Sequence, residues 1–222
     1  MTPTKTIFLF DVDNTLLDND GVTDDLREHL EREVGHERQQ RYWMIFEQLR
    51  EKLGYADYLG ALQRYRLEDP RDPHLLTVSS FLVNYPFADR LFPYAIEVVT
   101  HVKQWGQPVI LSDGDVVFQP RKIEQSGLFQ VVDGHVLIYI HKECELDDIE
   151  RRYPATHYVL IDDKLRILTE VKKAWGARVT TVFPRQGHYA TDRDALAGLP
   201  CPDVTIDRIG DLLKYDIQAL VG

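Results

Sequence analysis

Three short apolar runs in this 222-residue chain stop at groups that could do chemistry. Residues 7–10 run into Asp11-Val12-Asp13-Asn14-Thr15, residues 108–111 into Ser112-Asp113, and residues 158–161 into Asp162-Asp163. Side chains alternate faces along a strand, so Asp11 and Asp13 begin on one side if strand geometry continues past residue 10. Two carboxylates that close repel each other, and a cation between them relieves the repulsion. Taken one at a time these residues have plainer readings. Asp and Asn cap helices and make turns, Ser112 suits a turn, and a lone Lys142 suits a solvated surface. Their joint position argues otherwise. In a parallel sheet all carboxyl ends lie on one edge, where an open α/β sheet binds its ligands.

The elements needed for that edge are readable in order. Short apolar runs at 7–10, 108–111, 158–161, 178–183 and 204–206 read as buried strands. Helical patterns at 94–105, 117–126, 146–153, 166–175 and 209–220 lie between or after them, with Pro93 suited to a first helical turn. Residues 129–132 and 136–140 flank Asp133-Gly134, a dipeptide suited to a tight hairpin, and Lys142 follows its end. Strands alternating with helices imply a parallel sheet with right-handed crossovers. Residues 18–90 differ. Asp18-Asn19-Asp20-Gly21 is a turn cluster, and helical patterns follow at 24–34, 37–53, 55–66 and 75–84. The expected fold is therefore α/β, a Rossmann-like parallel-sheet core (1–17 and 91–222) with a small α-helical domain (18–90) over the crevice.

Composition narrows the function. The net charge of −10 argues against nucleic acid as the partner. No apolar run approaches the roughly 20 residues of a membrane span. Residues 2–6 are polar and give no apolar signal core. Cys144 and Cys201 have no metal-type spacing and read as free thiols. A cytoplasmic protein without a membrane partner is expected. Nothing in the sequence specifies an oligomeric state.

The run Asp11-x-Asp13-x-Thr15 after an apolar strand resembles the first motif of the haloacid dehalogenase-like hydrolases. Ser112, Lys142 and the pair Asp162-Asp163 match the other three motifs in order. The helical insert after the first motif resembles the family's cap, and residues 91–112 resemble its return to the core. The resemblance implies that Asp11 is a nucleophile forming an aspartyl-phosphate. It implies that Asp13 protonates the leaving group and then activates water. It further implies that Ser112, Asp113 and Lys142 surround the phosphoryl group, and that Mg²⁺ is held by Asp11, the backbone carbonyl of Asp13 and a fourth-motif acid. Alignment favours Asp163 over Asp162 for that acid.

The pattern departs from the family in three places. Asp162 stands where Gly is most frequent, with Ile167 at the later acid position. Asp113 replaces an Asn, and Glu143 a Pro. Dehalogenases of the family lack the second Asp, so Asp13 favours phosphoryl transfer. The expected activity is a Mg²⁺-dependent phosphomonoesterase acting on a small phosphorylated metabolite. A phosphomutase, or a regulatory protein that keeps the fold without turnover, are the alternatives. Arg38, Arg41, Arg50, Arg64 and Arg66 could place positive charge over the crevice, and Tyr42, Trp43, Tyr55 and Tyr58 could stack on a ring or pack the insert.

Overall fold

The computed structural model describes residues 4–221; residues 1–3 and 222, the ends of the expected core span, lie outside the described residues. Six parallel strands form one sheet in the order β3-β2-β1-β4-β5-β6. They are β1 (Thr4–Phe10), β2 (Gln107–Asp113), β3 (Val136–Tyr139), β4 (Ala155–Ile161), β5 (Val179–Pro184) and β6 (Val204–Ile206). Strand β1 is central because it is apolar on both faces. Phe8 and Phe10 enter one core, and Ile7 and Leu9 enter the other.

Helices cover both faces of the sheet: α5 (Ala95–Val102), α6 (Phe118–Gln125), α7 (Leu128–Val131), α8 (Leu146–Arg152), α9 (Leu165–Trp175) and α10 (Arg193–Leu196). Helix α9 buries Ile167, Leu168, Val171 and Trp175, a stripe at helical spacing, against the face that carries Ile7 and Leu9. The chain runs from β1 outward through β2 to β3, then crosses back to place β4 on the other side of β1. That reversal puts the switch point of the sheet between the carboxyl ends of β1 and β4.

Between β1 and α5 the chain is helical: α1 (Asn19–Val34), α2 (His36–Leu53), α3 (Tyr58–Glu68) and α4 (Leu75–Val83), then a 3₁₀ turn at Phe87–Arg90. Asp18 caps α1 by accepting from the Gly21 amide at 3.0 Å. The expected turn at residues 18–21 is thus the first turn of a helix. The outgoing and returning chains meet side by side. Leu17 and Leu91 form an antiparallel bridge, the Asp18 amide donates to Arg90 O at 2.8 Å, and the Phe92 amide donates to Leu16 O at 2.9 Å.

The expected hairpin does not form. Residues 128–131 are helix α7, and β3 pairs in parallel with β2, Ser112 opposite Ile138. The tight turn itself is present. Asp133 and Gly134 both have positive φ, 53° and 76°, but they join a helix to a strand. A short run that is mostly apolar, interrupted here by Gln130, does not distinguish a strand from a helical turn, and the open edge of β2 takes the run that follows. The last expected helix is two 3₁₀ segments, Ile209–Lys214 and Ile217–Leu220. Helix α5 begins at Ala95, after Tyr94 takes a left-handed conformation.

Candidate active site

The strand ends are level, which brings the acids together. Phe10 pairs with both Ile110 and Ile161, so Asp11 and Asp162 leave the sheet side by side. The Asp11 amide donates to Ile161 O at 3.0 Å, and the Asp162 amide to Val182 O at 3.2 Å. Asp11, Asp162 and Asp163 are buried, and each offers an oxygen within 4.8 Å of the others. Lys142 is buried among them on the 3₁₀ turn Lys142–Cys144 that follows β3. Its ammonium lies 2.5 Å from Asp11 Oδ1, 2.7 Å from Asp162 Oδ2 and 3.2 Å from Leu111 O. Lys142 therefore reaches this edge through a parallel strand, where the sequence suggested a hairpin.

Strand geometry does not continue to Asp13. The amides of Thr15, Leu16 and Leu17 all turn back onto Val12 O. Asn14 takes φ 61°, a conformation that Asn tolerates better than most residues. The Asp13 carboxylate consequently leaves the buried cluster and meets Lys122, 2.6 Å from its Oδ1. The cation between Asp11 and Asp13 suggested by their spacing gives way to two separate arrangements, an Asp13–Lys122 pair and a three-carboxylate cluster.

The remaining expected residues are positioned by neighbours. Ser112 is buried and its hydroxyl accepts from Gln119 Nε2 at 2.8 Å. Asp113 lies at the rim, and its Oδ1 accepts from the Lys142 amide at 2.8 Å. The extra charge at residue 113 thus holds the backbone that carries the lysine. The Asp163 amide donates to Thr15 Oγ1 at 3.1 Å, tying the loops after β1 and β4 together.

The three acids form a group that could hold a metal ion. Burial pushes the Asp11 carboxyl up to about 6; Lys142 opposes this, and Asp162 adds to it. Burial, then Asp11 and Asp162, raise Asp163 well above the carboxylate range. Against the cost of burial, Asp11 and Asp162 hold the Lys142 ammonium above its usual range. Asp11 Oδ2 and both Asp163 oxygens are buried without a hydrogen-bond partner among the described residues. Buried, partnerless carboxylate oxygens are costly unless a proton or a metal occupies them. An all-oxygen donor set suits a hard cation.

Two lysines here had no motif to announce them. Lys122 is fully buried on α6 and bonds Asp13 and, at 2.8 Å, Asn19 Oδ1. A lysine among Phe118 and Ile123 on the buried face of a helix is its one sequence signal. Lys164 follows the acid pair directly. Against the cost of burial, Asp11 and Asp163 raise its ammonium above the usual range.

Cavities of about 290 and 350 Å³ open from this edge towards the helical segment, both bounded by Asp13, Tyr55, Tyr58, Lys164 and Tyr189. The approach is close. A Cβ on Gly54, at the end of α2 with φ 81°, would lie 2.6 Å from the His141 ring. Arg50 on α2 hydrogen-bonds the Tyr189 hydroxyl across the opening. Of the other arginines, Arg38 pairs with Asp72 and Asp69, and Arg41 with Glu68, while Arg64 and Arg66 are exposed. Tyr42 and Tyr58 are core residues; Trp43 and Tyr55 border the cavities.

The comparisons agree with this geometry. The profile of the haloacid dehalogenase-like hydrolases matches residues 5–175. A crystal structure described as a haloacid dehalogenase-like hydrolase, from Burkholderia xenovorans LB400, is 62% identical with TM-score 0.93, covering 97% of this chain and 98% of that one. A haloacid dehalogenase-like family hydrolase from Xanthomonas campestris is 17% identical with TM-score 0.69, over 99% and 96% of the two chains. The L-2-haloacid dehalogenase of Xanthobacter autotrophicus is 17% identical with TM-score 0.62, over 95% and 97%, a likeness of fold. No curated protein matches. The chain belongs to the haloacid dehalogenase-like hydrolases.

Proposed function

We propose that this hydrolase is a Mg²⁺-dependent phosphomonoesterase acting on a small phosphorylated metabolite through an aspartyl-phosphate. The observation that carries the reading is the buried set Asp11, Asp162 and Asp163 with four oxygens that lack a hydrogen-bond partner, of which Asp162 Oδ2 alone faces an ammonium, that of Lys142. A carboxylate that displaces halide alone has no use for a cation site. Asp13 supports the same choice, because a phosphate ester needs a proton donor for its leaving oxygen.

In this reading Asp11 attacks phosphorus, and the bond from phosphorus to the ester oxygen breaks. Asp13 gives that oxygen a proton, then takes one from the water that attacks the aspartyl-phosphate and releases inorganic phosphate. Lys142 offsets the repulsion between Asp11 and an anionic substrate, and Ser112 holds a phosphoryl oxygen. Asp113 orients Lys142 through its amide, and Lys122 orients Asp13. Asp11, Asp163 or Asp162, and the backbone carbonyl of Asp13 would hold Mg²⁺, which when bound neutralises charge on the phosphoryl oxygens. Residues 18–90 act as a cap that excludes water, hinged where Leu17 meets Leu91.

The test is phosphate release from a panel of small phosphate esters with Mg²⁺ and with EDTA. Wild type should release phosphate only with the metal, and Asp11→Asn should lose roughly three orders of magnitude or more. An Asp11→Asn protein with wild-type activity would refute the assignment.

A further inference from the structure

The crevice holds three lysines, and two are already paired with carboxylates. Lys142 hydrogen-bonds Asp11 and Leu111 O and forms an ion pair with Asp162, and Lys122 bonds Asp13 and Asn19. The Lys164 ammonium has no hydrogen-bond acceptor among the described residues. Its near neighbour is the Tyr189 ring, whose centroid is 5.2 Å away. An ammonium carries three donors, and leaving them unmet in a half-buried wall is unfavourable until an anion arrives.

The two cavities that Lys164 borders differ in charge. The larger is also bounded by Asp20, Asp24, Glu47 and Asp163, which oppose Arg27 and Arg50. The smaller has Asp13 and Asp113 as its acids, and Lys122, Lys164, Arg166 and His141 as its basic groups, of which Arg166 is paired with Glu143 at 2.6 Å and Lys164 is left without a carboxylate partner. Asp13 is already neutralised by Lys122, and Asp113 turns to the Lys142 amide. An anion beyond the transferred phosphoryl group therefore fits the smaller cavity, whose 290 Å³ suits a short molecule.

We infer that the leaving group carries a second anion, a carboxylate or a further phosphate on a short chain, and that Lys164 binds it. The inference rests on the phosphomonoesterase reading and supplies its substrate class. Lys164 is then a specificity residue. A neutral alkyl phosphate satisfies Asp11 and Lys142 but leaves the Lys164 donors unmet, whereas a short phosphorylated acid satisfies both ends.

The experiment compares binding of phosphonoacetate, which has a carboxylate one carbon from phosphorus, with methylphosphonate, which lacks it. Titration calorimetry with Mg²⁺ is run on wild type, Lys164→Met and Lys164→Arg, with melting curves to verify folding. Wild type should prefer phosphonoacetate by roughly 10- to 100-fold, the range of one charge-assisted hydrogen bond. Lys164→Met should lose that preference, and Lys164→Arg should keep most of it. Equal binding of the two probes by wild type, or no binding of phosphonoacetate, overturns the inference. An equal loss of both probes in Lys164→Met also overturns it, because Lys164 would then serve the transferred phosphoryl group. Failure of the phosphatase reading is separable. It would appear as retained preference for phosphonoacetate without phosphate release from short phosphorylated acids.

Discussion

At the residue scale, the organising fact is how carboxylates and lysines are divided along the strand edge. Lys142 is paired with two buried acids at once, Asp11 and Asp162. Removing one partner from a buried charge cluster costs about 3–5 kcal/mol, because the remaining charges stay buried without compensation. Lys142→Met in EDTA should therefore melt well below wild type by circular dichroism; a melting point equal to wild type would contradict the pairing. Most of these residues were legible because each follows an apolar run, a signal local in sequence. Lys122 was not, since its meaning depends on Asp13, which lies 109 positions away. The rotation of Asp13 away from Asp11 was also hidden. It follows from the turn at Val12 and the left-handed Asn14, and strand alternation does not apply beyond Phe10.

At the element scale, a small polar network ties the two ends of the helical segment together beside its junction with the core. Asp25 on α1 meets Tyr85 and Arg90, the latter in the 3₁₀ turn where the chain returns to the sheet. Burial pushes the Asp25 carboxyl up, but the Tyr85 hydroxyl and the Arg90 guanidinium outweigh it and hold it below the usual carboxylate range. A carboxyl depressed in the folded state stabilises the fold above its unfolded value of 3.8 and loses that contribution as pH falls through the folded value. Asp25→Asn should cost about 1 kcal/mol at pH 7, after allowance for solvent screening of a partly exposed pair, and progressively less below pH 4. Urea titrations at pH 7 and pH 3 measure it; an equal cost at both would contradict the network. The four helices were legible from their periodicity. The hairpin was not, because Asp133-Gly134 fixes a tight turn without fixing which elements the turn joins.

At the scale of the whole molecule, strand order does the assembling. The switch between β1 and β4 sets Asp11 beside Asp162 and Asp163, and residues of the helical segment border the cavities at the same edge. Parallel alternation in the sequence implied the common edge, while the order of the strands had to come from the structure. Linkage between protons and metal follows at this scale. Asp11, pushed up to about 6, and Asp163, raised above its ordinary value, take up protons more readily than free carboxyls, and a cation competes with those protons. Mg²⁺ should therefore raise the melting temperature more at pH 7.5 than at pH 5. The Mg²⁺ shift should shrink at both pH values in Asp163→Asn, and an equal Mg²⁺ shift at both pH values in wild type would contradict a site built on these acids. Among the described residues no helix is long and apolar enough to cross a membrane.

The central claim is that Asp11 accepts a phosphoryl group. It is tested most directly by trapping the adduct in Asp13→Asn, which lacks the base that would hydrolyse it. Acetyl phosphate serves as donor, because its leaving group departs without a proton from Asp13. After acid quench, mass spectrometry of the peptide containing Asp11 should show one phosphoryl group when Mg²⁺ is present. It should show none with EDTA or in the Asp11→Asn/Asp13→Asn double variant. A phosphoryl group on another residue, or none at all with Mg²⁺, would contradict the mechanism.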